Sequence, residues 1–416
     1  AASSRRSSWP DPGRLVGVDV ARALAVFGMF TVHLGATSFG ALDGPVAEAV
    51  HELTRGRSSA LFAFLAGVSL ALLSGRQVPL HGEPLRRICV KILVRAGLLA
   101  LFGVLLDELG TSVAVILVYY ACYFLLALPL LQLRAPALAA TAAGIALLGP
   151  QLSYLIRTQW EFGLPFVSVT RVDDFLLYGY YPAFTFMAFV VAGMAVGRLD
   201  LRSTAVRGAL AAAGAALALL GYGLSWLLLY PAGAIDRIAV SQAPYYYGTA
   251  ESTVSSGELA MLRGVAEELI AFKHGTVPTD TPAWLLVASP HSGTTFEILG
   301  AVGTSLLVLA ACLVAADLLR WGVYPLAAAG SMALTCYVGH IVVLAALGDP
   351  TGGAPPWLWE TFVIAALLCA TVWKLLLGRG PLERLLGTVA DLAIRRTAPR
   401  PPDGSRPPGA AASGAH

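Results

Sequence analysis

Apolar runs long enough to cross a bilayer recur through the whole chain, and that feature leaves few folds open. In hydrocarbon, every backbone N–H and C=O must be satisfied by the protein itself, so a chain of such runs becomes a bundle of spanning helices. Ten segments qualify, near 17–37, 58–75, 91–107, 111–132, 135–155, 177–197, 207–230, 294–317, 323–347 and 357–378. Only 13% of residues are charged against 57% hydrophobic, about half the charge of an ordinary soluble domain. The expected fold is all-α, a polytopic transmembrane helical bundle of about ten spans. The ninth segment holds Gly330, Ser331, Thr335 and Gly339, small residues that suit close helix packing.

The first segment, VGVDVARALAVFGMFTVHLG from Val16 to Gly35, carries Asp19, Arg22 and His33. Ionisable groups inside a span are costly and usually functional. At about 100° per residue, Arg22 and His33 return to nearly the same face, and Asp19 sits one turn before Arg22. One helix thus offers a polar stripe along its length, and the bundle is expected to leave a hydrophilic passage beside it. The run is long for a signal peptide and is interrupted by charge, so it reads as a retained span.

Charge placement orients the bundle. With the N-terminus inside, three quarters of the 28 Lys and Arg residues fall on the inner side, so both termini are expected in the cytoplasm of a multi-pass plasma-membrane protein. Residues 1–13 and 391–416 read as disordered cytoplasmic ends, and 14–390 as one transmembrane domain. The long connections 156–176 and 231–293 then lie outside. The second carries a helical-looking run, GELAMLRGVAEELIAFKHG, and reads as an extracytoplasmic cap loop.

Cys89, Cys122, Cys312, Cys336 and Cys369 fall in or beside apolar segments without CxxC spacing, which indicates neither a disulfide framework nor a zinc site. The histidines are more informative. His33 lies late in the first span, His340 late in the ninth, His51 in the first outer loop and His291 just before the eighth span. Alternating helix direction brings all four toward one outer cavity, with His274 nearby in the cap. They are the candidate catalytic residues, because an imidazole titrates near working pH. The plainer reading of any single one is an interhelical polar contact. No HxxxH or HxH pair occurs, so no metal is expected, and no GxSxG marks a serine nucleophile. Arg57, Asp107 and Glu297 map to the same level, as candidate substrate-binding residues together with Tyr337. Tyr180 and Tyr181 read either as an aromatic belt or as a sugar-stacking pair. At the inner end, Asp19 and Arg22 are a helix-start salt bridge or the mouth for an anionic ligand. Arg86, Arg87 and Lys91 add positive potential there that would attract a phosphorylated ligand.

These residues resemble a known family. The first span, with its Asp19–Arg22 spacing and a polar residue at position 33, is similar to the first helix of the heparan-alpha-glucosaminide N-acetyltransferase family and its bacterial YeiB-like relatives. LFAFLAGVSLALL (61–73) resembles the family's second helix, and GSMALTCYVGHIVV (330–343) a late one. The resemblance spans most of the chain from Arg14 to about Leu386. It implies an acyltransferase that takes acetyl-CoA at the cytosolic face and passes the acetyl group to an acceptor on the far side. In the lysosomal enzyme the catalytic group is a histidine of the first luminal loop, which His51 matches loosely; that type has asparagine where this chain has His33. The implied donor is acetyl-CoA or a similar acyl-CoA. The implied partners are the lipid bilayer and an extracytoplasmic glycan or glycolipid, with no nucleic acid; self-association stays open. The rival class is a transporter or flippase using the same cavity without acyl chemistry, which internal repeats would favour.

Overall fold

A computed structural model describes residues 14–42, 44–159, 174–248, 254–271, 275–350 and 354–397. Among these residues all regular structure is helical. In chain order the helices are α1 (Val16–Leu34), α2 (Gly44–Thr54), α3 (Arg57–Leu73), α4 (Gly82–Asp107) and α5 (Leu117–Ala127), whose 3-10 extension reaches Gln132. Then come α6 (Ala135–Gln159), α7 (Ala183–Gly197), and α8 (Thr204–Ala218), continued through a π turn into α9 (Leu224–Leu229). After α10 (Ala234–Ser241), α11 (Ala243–Tyr247) and α12 (Ser256–Ala271) follow α13 (Thr295–Leu318), α14 (Tyr324–Gly330), α15 (Ala333–Ala346), α16 (Leu358–Leu377) and α17 (Pro381–Thr397).

All ten apolar segments fall on helices. Among the described residues, 7 are long and apolar enough to cross a membrane, and α14 with α15, taken as one span, makes 8. The extended α5 and α7 are shorter apolar helices in the remaining positions. The ninth expected segment is therefore broken: α14 and α15 meet at 78°. Two backbone groups beyond the break explain it. The N–H groups of Leu334 and Thr335 leave the helical ladder and donate to Glu383 Oε1 at 2.9 and 3.1 Å, while Thr335 Oγ1 donates to Oε2 at 2.6 Å. A carboxylate at a helix start satisfies orphan donors and complements the helix dipole.

Small residues set the closest crossings. A Cβ at Gly67 of α3 would collide with the Val190 carbonyl of α7, and one at Gly193 with the Phe64 carbonyl. Gly330 of α14 lies against the Asp19 carbonyl of α1, and Gly17 against Leu313 of α13. Such contacts let backbones touch where apolar solvent offers no hydrophobic drive. α1 is buried along most of its length. The outer helices instead present apolar side chains to the surroundings: Leu101, Val104 and Leu105 on α4, and Ile364, Leu368 and Val372 on α16.

Residues 231–293 contain α10, α11, α12 and a 3-10 turn, packed around Trp284, Ile238, Leu262 and Val287. This small core docks on the bundle through Arg157 to the Val277 carbonyl (2.6 Å), Tyr154 to Thr279 (3.1 Å) and Ser225 to Leu286 (2.6 Å). The helical-looking run is α12 as far as Ala271; His274 lies outside the described residues. At the other end, α17 is helical through Thr397 and packs along α4, so the tail assigned from residue 391 begins in a helix. Residues 1–13 and 398–416 lie outside the described residues.

Candidate active site

The end of α1 places His33 against α15, where its Nδ1 stands 2.8 Å from Nε2 of His340. The two rings are nearly parallel, 5.1 Å apart between centroids. Phe30 packs 4.7 Å from the His340 ring and Tyr337 meets it edge-on at 5.2 Å. His340 is buried, while His33 is half-buried. Nδ1 of His340 is buried and turns back toward the carbonyls of Tyr337 and Cys336, at a geometry short of a full hydrogen bond. Facing acceptors, that nitrogen favours carrying the proton, which makes Nε2 the acceptor for the Nδ1–H of His33. The remaining nitrogen of His33, Nε2, then holds its lone pair outward.

Three ties fix this arrangement. Glu383 caps α15 as described above. Trp359 of α16 donates its Nε1–H to Thr31 Oγ1 of α1 at 2.9 Å, two residues before His33. Glu360 accepts from the backbone N–H groups of Gly40 and Ala41 at 3.0 and 2.9 Å, which holds the chain just after α1. Asp349 lies within electrostatic reach of His33 and accepts from the Ser112 N–H at 2.5 Å. It was absent from the sequence-based site. An Asp-Pro step shortly after a histidine-bearing span was the available signal.

A groove of about 400 Å³ reaches His340 between α15 and α16. It begins near Trp373 and Pro381, passes Thr335, Cys369 and Gly339, and ends at His340 and Phe30. Its walls are almost wholly apolar. This corrects the expectation of a hydrophilic passage along α1. Between Arg22 and His33 that helix face is closed by Val26, Met29 and Phe30, all in the bundle core. Asp19 is held by Arg14 at 2.6 Å and Arg22 at 2.8 Å, and Arg22 also donates to Ser69 Oγ at 2.6 Å.

The four-histidine cavity is likewise corrected, because the crossing angles turn the other two rings elsewhere. His291 packs edge-on to Tyr181 at 5.2 Å, and Tyr181 in turn lies within electrostatic reach of Tyr337 and Tyr120. His291 thus reaches the pair by way of Tyr181 and Tyr337. Tyr180 sits 6.3 Å from Tyr181, and Asp107 is within reach of Tyr337. His51 on α2 faces Glu52 at 3.7 Å, apart from this group. Arg57 donates to Tyr222 at 3.1 Å and to the Glu52 carbonyl at 2.8 Å, with Glu297 in electrostatic reach. Together with Thr31 and Thr54, Arg57 and Tyr222 line a separate cavity of about 540 Å³.

At the Asp19 end, Arg86 and Arg87 are exposed and both face Glu83, at 3.1 and 3.2 Å, while Lys91 pairs with Asp391 at 3.0 Å. The cations gathered with Arg22 are instead Arg95 and Arg379. Arg95 belongs to the same charged stretch of sequence as Arg86, Arg87 and Lys91, whereas Arg379 follows α16. Arg14, Arg202, Arg207 and Arg320 line a further pocket of about 290 Å³ beside Asp317. Among the described residues no group of His, Cys, Asp and Glu is arranged to hold a metal ion.

The profile of the family described as heparan-alpha-glucosaminide N-acetyltransferase, catalytic, matches residues 14–231, more than half of the chain. The chain belongs to this family. No curated protein matches it. Membership in the N-acetyltransferase family, together with the apolar helices, makes it a membrane-embedded acetyltransferase. The matched part runs from α1 to the end of α9, so it contains Asp19, Arg22 and His33. His340, Asp349 and, apart from Phe30, the groove lining come from the segment beyond it. The site at His33 is therefore completed by helices outside the family match.

Proposed function

We propose that this protein moves an acetyl or similar acyl group from cytosolic acyl-CoA to an amine or hydroxyl of an extracytoplasmic sugar, glycolipid or envelope glycan. One observation carries the reading: two imidazoles 307 residues apart in sequence meet at 2.8 Å, and one of them, His340, lines the groove. The family match supports the same chemistry.

His33 acts as general base through its outward Nε2. The acceptor nitrogen or oxygen attacks the thioester carbonyl, its proton passes to His33, and the C–S bond breaks to release the CoA thiolate. His340 accepts the Nδ1–H of His33 and holds the ring in the required tautomer, and the Asp349 carboxylate favours the imidazolium that forms. Such a positioned base contributes about 10²–10⁴-fold to rate. The Tyr337 hydroxyl, 3.3 Å from the Ile116 N–H from which it accepts, is the nearest group suited to steady the oxyanion. Arg22, Arg95 and Arg379 supply positive charge for the donor's phosphates on the cytoplasmic side. The termini lie on that side.

The test uses purified protein in nanodiscs, radiolabelled acetyl-CoA and glucosaminide acceptors. Label should pass to the acceptor in the native protein and fail to do so in His33→Ala. Undiminished transfer in both His33→Ala and His340→Ala would refute the assigned site. Movement of acceptor across liposomes without acetylation would favour the transporter class.

A further inference from the structure

We infer that the α15–α16 groove holds the hydrocarbon tail of a lipid acceptor, whose amine or hydroxyl head is thereby presented to His33 and His340. This deepens the acyltransfer reading and rests on it.

The groove's shape and walls decide the occupant. From Thr361 to Trp373 the α16 wall runs about 18 Å at the helical rise, close to the roughly 15 Å thickness of one hydrocarbon leaflet. Its rim is exposed at Gly339, Val343, Thr361, Ala365 and Cys369. The neighbouring α16 residues Ile364, Leu368 and Val372 are exposed apolar side chains, so the rim opens where the bilayer lies. Water is a poor occupant, since apolar cavities stay dry. A pantetheine arm has comparable length but carries two amides and a hydroxyl. The wall hydroxyls have given their protons elsewhere, Thr361 to the Trp357 carbonyl and Thr335 to Glu383, which leaves them only as acceptors. Amide carbonyls laid there would be buried without donors, at substantial cost. A hydrocarbon chain from the surrounding leaflet meets no such penalty.

Direction fits as well. His340, with His33 against it, stands toward the Thr361 end of the groove, and the rest extends back toward Trp373 and Pro381. A lipid of the leaflet at the His33 end points its tail that way and keeps its head at the pair. The tail gains little affinity over bulk lipid; it fixes the depth and orientation of the head, the effect that makes a bound reaction effectively unimolecular.

Gly339 provides a clean perturbation. It lines the groove, and a Cβ built on it meets nothing within 4 Å, so Gly339→Leu fills the groove without a backbone clash. Ala365→Phe does the same from α16. The experiment uses full-length protein in phosphatidylethanolamine–phosphatidylglycerol nanodiscs, with a trace of phosphatidylethanolamine bearing a mid-chain diazirine. After irradiation, adducts should concentrate on groove residues such as Cys336 and Cys369, several-fold above Leu368 and Val372, and both substitutions should remove that excess. In parallel, dodecyl glucosaminide should be acetylated with kcat/KM about tenfold above methyl glucosaminide, and both substitutions should erase the difference. Even labelling around α16, or groove labelling untouched by both substitutions, overturns tail binding. Intact groove labelling with equal turnover of the two glucosaminides overturns the acceptor assignment. Intact groove labelling with no acetylation of either compound overturns the acyl-transfer reading and the acceptor role together, and leaves only lipid binding.

Discussion

Arg198 and the His33–His340 pair are both polar groups buried where helices join, and they are satisfied to very different degrees. The guanidinium of Arg198 donates to the carbonyls of Ala71, Ser74, Arg76, Leu131 and Leu133 and to the Ser74 hydroxyl, at distances from 2.5 to 3.3 Å. It closes the end of α3 against the end of the α5 extension, taking up orphan carbonyls that a helix end leaves. Nothing on it is left for a ligand. The histidines spend one contact on each other and keep a ring nitrogen for chemistry, with a groove beside them. Within one bundle, complete satisfaction marks a structural joint, and a reserved valence beside a cavity marks a site.

The comparison breaks most sharply at Arg198. Arg198→Ala strands several buried carbonyls and should cost at least about 3 kcal/mol, read as loss of a cooperative melting transition in detergent. If the variant melts like the native protein, the joint is not structural. At the pair, His33→Ala should lower acetyl transfer by about 10²–10⁴-fold with the melting transition retained. His340→Gln, whose side-chain amide oxygen can still accept from His33, should retain more activity than His340→Ala. An equal loss in the two would remove the orienting role.

Smaller effects sharpen the same contrast. Glu383→Ala removes the cap of α15 and should cost about 1 kcal/mol, with a lower kcat and a shifted pH profile because His340 moves relative to His33. A fall in stability with kinetics unchanged would leave Glu383 outside the positioning of the pair. The least effect is expected at Lys91–Asp391. The hydrogen bond and charge of Lys91 hold the Asp391 carboxyl below its ordinary value. Any stability from it is therefore present above the unfolded aspartate range and lost as pH falls through the folded value. Both side chains are substantially exposed, so Asp391→Asn should leave the melting midpoint at neutral pH unchanged. A clear drop would mean that α17 is anchored there as firmly as at Glu383.

The fold was largely legible from the chain because bilayer hydrocarbon tolerates so few backbone arrangements. Apolar length located the long helices of the bundle, and the helical period located α12. What escaped was local competition. The break between α14 and α15 depends on Glu383, a residue some fifty positions away, and no window of hydropathy registers a distant carboxylate drawing N–H groups out of a ladder. α17 escaped because its charged turns resemble a solvated tail until α4 is beside it.

The site was legible in part. His33 and His340 were identified as site residues from their depth in separate spans, and the coordinates bring them together. His51 and His291 occupied the same depth yet turned to other neighbours, since depth follows from sequence position while azimuth follows from crossing angles. Asp349, and Arg379 beside Arg22 and Arg95, became visible only when distant helices were adjacent. By itself the sequence determined a helical membrane bundle, its family and the residues able to carry proton chemistry, because burial in lipid and the cost of buried charge act on each segment separately. Which imidazoles touch, and that an apolar groove leads to them, was decided by tertiary packing, because those outcomes depend on how glycine contacts and a distant cap rotate whole helices against one another.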